Sequence, residues 1–106
     1  ILDRPGLDFV LLVDGAEVIG SIYLNVIPNL TRGLRPYAVI ENVILRGELR
    51  GRGLGKQLMA AALDRARGAG CSKVMLLTGS SNPETHAFYR ACGFDGEAKQ
   101  GYVLRW

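Results

Sequence analysis

Arg46-Gly47-Glu48-Leu49-Arg50-Gly51-Arg52-Gly53-Leu54-Gly55-Lys56 is a glycine-rich, basic turn that leads straight into a helical pattern. Leu54, Leu58, Met59, Ala62, Leu63 and Ala66 recur at helical spacing, and Gly68 and Gly70 supply the stop. The first N–H groups of a helix have no partner inside it, and the helix dipole adds positive potential at that end. A glycine turn placed there is therefore a ready site for a pyrophosphate. Gly51, Gly53 and Gly55 let the main chain approach phosphate oxygens without a Cβ in the way, and Arg46, Arg50, Arg52 and Lys56 surround the turn with cationic charge. The cluster alone is equally compatible with a purely structural turn.

Two other phosphate loops fail against these residues. A P-loop needs glycine at position 50 and Ser or Thr at position 57, where this chain has Arg50 and Gln57. The dinucleotide fingerprint that starts at Gly51 needs a small third residue where Lys56 stands.

On the N-terminal side, Val10–Val13 and Ala16–Ile27 flank Asp14-Gly15, which predicts a hairpin closed by a two-residue type I′ turn. Pro28 ends the second strand, and residues 29–36 have loop composition. Tyr37–Leu45 resumes a β-rich pattern, interrupted by the polar pair Glu41-Asn42. On the C-terminal side, Lys73–Thr78 reads as a short strand. Asn82-Pro83-Glu84 reads as a helix start with an N-cap side chain, proline at the first position and an acid in the first turn. That helix stops at Gly93, and Phe94 onward, through Tyr102-Val103-Leu104, reads as a last strand or hairpin. The order predicts an α/β fold with a mixed sheet.

With 106 residues and 48% hydrophobic composition the chain supports one domain over 1–106. Thirteen Lys and Arg against ten Asp and Glu leave a net charge of +3, too mild to choose a partner class. The basic residues concentrate at the helix start, which fits a pyrophosphate better than a nucleic-acid track. Cys71, Cys92 and His86 provide too few soft ligands for a structural zinc, so no metal is expected, and the cysteines read as reduced packing residues. Neither a membrane-spanning run nor a signal peptide is found, so the expected location is cytoplasmic.

Arg50-Gly51-Arg52-Gly53-Leu54-Gly55 matches the Q/R-x-x-G-x-G/A signature of the GNAT N-acetyltransferases. Asn82 and Tyr89 have the family's spacing on the second helix, and Phe88-Tyr89-Arg90-Ala91-Cys92-Gly93-Phe94 resembles its FYxxxGF ending. The resemblance runs from about Phe9 to the C-terminus and implies a GNAT-like acyl-CoA N-acyltransferase fold without its N-terminal strand and following helices. Ile40–Val43, the glycine turn, Gly70-Cys71-Ser72-Lys73 and Cys92-Gly93-Phe94 are similar to glucosamine-6-phosphate N-acetyltransferases, whose Glu-Asp pair is here Glu41-Asn42.

The resemblance implies acetyl-CoA as cosubstrate, a small-molecule primary amine as acceptor and a homodimer as a family expectation. It assigns the coenzyme A pyrophosphate to the backbone of Gly51, Arg52, Gly53, Leu54, Gly55 and Lys56, and counts Arg50 and Tyr89 among the cofactor-binding residues. The pantetheine falls to Val43, Ile44 and Leu45 with Asn82. Glu41, read as a carboxylate within an apolar strand, is the candidate general base, since burial raises a carboxyl pKa toward that work; orienting the substrate or pairing with an arginine is the rival reading. A backbone N–H near Ile44 would serve the oxyanion. Tyr89 is the candidate acid for the leaving thiolate, against a plain packing role. His86 reads as solvent-facing, while Arg32, Arg35 and Tyr37 read as solvated loop residues or acceptor contacts. A non-catalytic acyl-CoA-sensing or partner-binding module is the alternative function.

Overall fold

The computed structural model describes residues 7–28, 35–47 and 53–106. Thr31, Arg32 and Gly33 of the loop after the second strand, and Arg50, Gly51 and Arg52 of the glycine turn, lie outside the described residues. The chain divides into two compact units, Ile1–Leu76 and Leu77–Trp106.

In the first unit, β1 (Leu7–Asp14), β2 (Glu17–Ile27), β3 (Tyr37–Leu45) and β4 (Val74–Leu76) form one sheet in the order β1-β2-β3-β4. The β1/β2 and β2/β3 pairs are antiparallel, and β3/β4 is parallel. α1 (Leu54–Gly68) connects β3 to β4, as a parallel pair requires. It lies on one face of the sheet with Leu58, Met59, Ala62 and Ala66 buried. Against them β2 presents Ile22 and Leu24, and β3 presents Ala38 and Ile40, all between 0% and 2% exposed. This alternation puts Tyr23, Val39 and Glu41 on the opposite face. Arg65 of α1 holds Asp8 of β1 with two hydrogen bonds of 2.8 and 2.9 Å.

The hairpin is present, but its turn differs from the expected type I′. Asp14 pairs with Glu17, so the two central residues are Gly15 and Ala16. Only Gly15 has positive φ (63°), the pattern of a type II′ turn, because Ala16 cannot adopt the second left-handed conformation that type I′ demands. Two bulges follow. Leu12 pairs with Gly20 while Val13 pairs with Val18, leaving Ile19 as an extra residue in β2. Ser21 pairs with Ile44 while Tyr23 pairs with Glu41, so Asn42 and Val43 together face Ile22. Asn42 has φ 53°, a left-handed conformation that asparagine tolerates better than most residues. The polar interruption of β3 is therefore a bulge.

α1 ends as its glycines predict. Gly70 has φ 81°, its N–H donates to the Arg67 carbonyl, and the Cys71 N–H donates to the Ala66 carbonyl, which together make a Schellman motif. β4 is shorter than the expected Lys73–Thr78, with only three residues on the ladder.

In the second unit, α2 (Pro83–Ala91) begins with Asn82, whose Oδ1 accepts the Glu84 N–H at 2.9 Å. It ends in a second Schellman motif. Gly93, at φ 99°, donates to the Arg90 carbonyl, and Phe94 donates to the Tyr89 carbonyl. The strand expected after Phe94 is not formed among the described residues. A strand exists only in a ladder, and the second unit contains α2 as its one described element, so Tyr102, Val103 and Leu104 have no strand of their own unit to pair with. These three side chains are exposed.

Candidate active site

The candidate site begins where β4 stops. The β3–β4 ladder covers Ala38↔Val74, Val39↔Met75 and Ile40↔Leu76. Among the described residues, β3 has no partner on that side from Glu41 to Leu45. The Arg46 N–H donates to the Ile19 carbonyl at 3.0 Å, and an antiparallel ladder alternates, so Ile44 also turns its N–H and C=O toward β2. Val43 and Leu45 turn theirs to the open edge. The free donors nearest the bulge thus belong to Val43 and Leu45, the two neighbours of Ile44, near which the sequence places a candidate oxyanion donor.

The first turn of α1 lies next to this edge. The side chains of Leu58 and Leu45 both converge on Gly20, where an added Cβ would stand 3.2 Å from Leu58 Cδ2, 3.1 Å from Leu45 Cδ1 and 3.2 Å from the Ile44 carbonyl oxygen. A side chain at position 20 would press on α1 and the end of β3, so these neighbours would have to shift by a few tenths of an ångström. Gly53 is the N-cap, at φ 75°, and no side chain caps the helix. The N–H groups of Leu54, Gly55 and Lys56 precede the first intrahelical bond, which runs from Gln57 to the Gly53 carbonyl at 3.2 Å, and no acidic residue sits in the first turn to neutralise the dipole. Three N–H donors without a partner among the described residues, the helix dipole and the exposed Lys56 could hold an anion beside a strand edge able to pair with an amide-bearing chain.

Glu41 is exposed at the bulge, in contrast to the burial expected inside an apolar strand. The cause is alternation: Ile40 fills the core, so Glu41 faces outward. No ion pair or hydrogen bond engages Glu41 among the described residues, which leaves its carboxylate available. Arg35 and Tyr37 both have partners in the first unit. Arg35 Nη2 donates to the Cys71 carbonyl at 3.2 Å, and the Lys73 ammonium lies 5.4 Å from the centre of the Tyr37 ring. Burial raises the Cys71 thiol, with the Arg35 charge opposing it.

In the second unit, Tyr89 is half-buried between Phe88 and Phe94, at centroid distances of 5.5 and 6.2 Å. The Phe94 contact is the apolar clasp that accompanies a Schellman motif, so the FYxxxGF pattern encodes a helix ending as well as a phenol. Burial first, and Cys92 second, raise the Tyr89 phenol above its usual value. We predict that the 295 nm absorbance of the parent protein minus that of Tyr89→Phe titrates with a midpoint above about 10. A midpoint at or below that value would contradict the burial. His86 is half-buried instead of solvent-facing, its Nε2 2.7 Å from the Ser80 carbonyl. A carbonyl only accepts, so Nε2 carries the proton. Ser80 Oγ also accepts the Asn82 N–H at 3.1 Å, which fixes the entry to α2.

Sequence reasoning missed Phe9 and Tyr23. Their rings stack at 4.4 Å on the outward face, and Tyr23 is the cross-strand partner of both Phe9 and Glu41. Among the described residues no cluster of three or more His, Cys, Asp or Glu is arranged to hold a metal, and no helix is long and apolar enough to cross a membrane.

Comparison with known proteins agrees with this geometry. Residues 1–94 match the model of the acetyltransferase (GNAT) family. A glucosamine 6-phosphate N-acetyltransferase of Trypanosoma brucei brucei is 36% identical over 79% of this chain and 55% of its own length. An aminoglycoside N(6')-acetyltransferase type 1 of Stenotrophomonas maltophilia is 26% identical over 90% of this chain and 63% of its own. The chain thus spans less than two thirds of either relative. The solved "Putative acetyltransferase from Agrobacterium tumefaciens str. C58" superposes with a TM-score of 0.93 at 44% identity, over 99% of this chain and 72% of that one. An open strand edge beside an uncapped glycine-led helix, and a family model spanning most of the sequence, lead to one assignment: this chain belongs to the GNAT acetyltransferase family.

Proposed function

We propose that residues 1–106 are the acetyl-CoA-binding core of an N-acetyltransferase that acetylates the primary amine of a small molecule by direct attack in a ternary complex. The observation that carries this reading is the open edge of β3 at Val43–Leu45, next to the uncapped start of α1. Val43 and Leu45 offer amide groups to a pantetheine arm, and Leu54, Gly55 and Lys56 offer N–H groups to a pyrophosphate. Acetyl-CoA, when bound, supplies an acetyl group activated as a thioester.

The remaining roles fall to this chain's side chains. A protonated amine cannot attack, so Glu41 takes one ammonium proton, directly or through water. The amine nitrogen then bonds to the acetyl carbon, and an open-edge N–H of Val43 or Leu45 stabilises the developing oxyanion. As the carbon–sulfur bond breaks, Tyr89 protonates the thiolate; the second nitrogen proton restores Tyr89 through solvent, and Glu41 releases the first to solvent, so one proton is freed per turnover. Arg50, Gly51, Arg52 and Asn82 complete the cofactor contacts that the family pattern implies. Under this reading the protein works in the cytoplasm, and homodimerisation is a property to be tested.

Calorimetric titration of acetyl-CoA into the full-length protein tests the proposal, with 3′-dephospho-acetyl-CoA as comparison. Saturable binding at one site per chain is expected, weaker for the dephospho compound because the basic residues around the turn lose a charged partner. A folded sample that binds neither would overturn the reading.

A further inference from the structure

The outward face of the sheet carries two aromatic rings that the catalytic scheme leaves unused, beside the carboxylate that it does use. Phe9 of β1, Tyr23 of β2 and Glu41 of β3 occupy one cross-strand row, because Phe9 pairs with Tyr23 and Tyr23 with Glu41. All three lie opposite α1: Phe9 sits between Asp8, which Arg65 of α1 holds, and buried Val10, while Tyr23 sits between the fully buried Ile22 and Leu24. Phe9 covers one side of the Tyr23 ring at 4.4 Å, with the planes inclined by 30°. Glu41 is the neighbour on the other side. The rings are half-buried and the carboxylate is exposed.

An acceptor amine reaches any enzyme at neutral pH almost wholly as an ammonium ion, since alkyl amines have pKa values near 10. It must be recognised as a cation before it is deprotonated. An aromatic face next to a carboxylate suits an ammonium group, through the ring quadrupole on one side and the negative charge on the other. Stacked Phe9 fixes the orientation of the Tyr23 ring, so its free face is set before the ligand arrives. The Asn42 bulge places this row at the point where β3 loses β4, and so beside the open edge assigned to the pantetheine.

We propose that Tyr23, backed by Phe9 and joined by Glu41, forms the wall that receives the acceptor as a cation and selects for ammonium-bearing substrates. This inference rests on the acetyltransferase reading, with Tyr23 as its specificity-determining residue. The wall also orients the acceptor, since an anionic group elsewhere on it is repelled from Glu41 and must point away from the row.

The test compares choline with 3,3-dimethylbutan-1-ol, two probes of the same shape that differ in charge. Binding is followed by saturation-transfer NMR on the full-length protein with coenzyme A present. The parent protein is expected to prefer choline by about threefold to tenfold. Tyr23→Leu is expected to bring that preference to within about twofold, and Tyr23→Phe to keep it, because the ring face and not the hydroxyl makes the contact. In turnover assays with kanamycin and with glucosamine 6-phosphate, Tyr23→Leu should raise the amine KM about tenfold while kcat and acetyl-CoA binding stay within about twofold. A parent protein indifferent to charge, or a Tyr23→Leu variant that melts normally and keeps the preference, would overturn the wall. Failure of the parent protein to turn over any amine would instead overturn the acetyltransferase reading. The choline comparison needs no turnover and still decides the wall in that case.

Discussion

Leu58→Ala is expected to lower the unfolding free energy by about 2–5 kcal/mol, with a urea midpoint that falls at an unchanged slope. Leu58 is 2% exposed, and its Cδ2 fills the space that Gly20 leaves open between α1 and the end of β3. The hole left by truncation cannot close easily. Gly20 has no side chain to move inward, and β2 is held by ladders to both β1 and β3. The loss is a large fraction of the roughly 5–15 kcal/mol typical of whole domains. Ala61→Ser, on the exposed side of the same helix, should stay within about 0.5 kcal/mol and serves as the control. Because Leu58 and Leu45 converge on the same point at Gly20, the variant is expected to loosen the strand edge and, under the proposed function, to weaken acetyl-CoA binding. A Leu58→Ala effect below about 1 kcal/mol would mean that α1 is not seated on β2 as described.

How far the sequence spoke for the fold depended on whether a signal was local. The start of α2 was legible because Asn82, Pro83 and Glu84 each carry a positional preference that acts within one turn, and the structure uses them that way. Both helix ends were legible for the same reason: Gly70 and Gly93 adopt the left-handed conformation that ends a helix. Registers were not legible. Counting back from the Asp14↔Glu17 closure would pair Phe9 with Ile22, and the extra residue Ile19 shifts that partner to Tyr23. β2 and β3 are joined by a long connection, so nothing short in the sequence sets Tyr23 against Glu41. The aromatic row therefore emerges only from pairing in three dimensions.

The candidate site divides along the same line. The glycine-led helix start and the Tyr89 spacing are contiguous patterns that could be read directly. The open edge of β3 depends on where β4 stops, and the three-residue β4 is shorter than its apolar run suggested. Glu41 was visible as an anomaly, a polar pair in an apolar strand, but its exposure required the bulge to be seen. The same bulge leaves the side chain aimed away from the core at the point where the sheet opens, as the proposed role of Glu41 requires.

Glu41→Gln is expected to reduce kcat with a primary amine by about 10²–10⁴ at neutral pH, the usual range for removing a general base. Acetyl-CoA binding should be unchanged, because Glu41 is not part of the edge at Val43–Leu45. The pH dependence separates a base from a residue that only orients the acceptor. Without a base, the variant must rely on the small fraction of amine that is already neutral. For an amine of pKa about 10, that fraction is roughly one in a thousand at pH 7 and grows about tenfold per pH unit. The Glu41→Gln deficit should therefore shrink steadily as pH rises toward 10, whereas an orienting role predicts a variant profile parallel to the parent's. Tyr89→Phe should cost less, since a thiol of pKa about 8.5 leaves adequately as the thiolate. Two variants that both acetylate at the parent rate would remove these side chains from the chemistry, whereas a folded parent protein that binds acetyl-CoA and acetylates no amine would favour an acyl-CoA-sensing module over an enzyme.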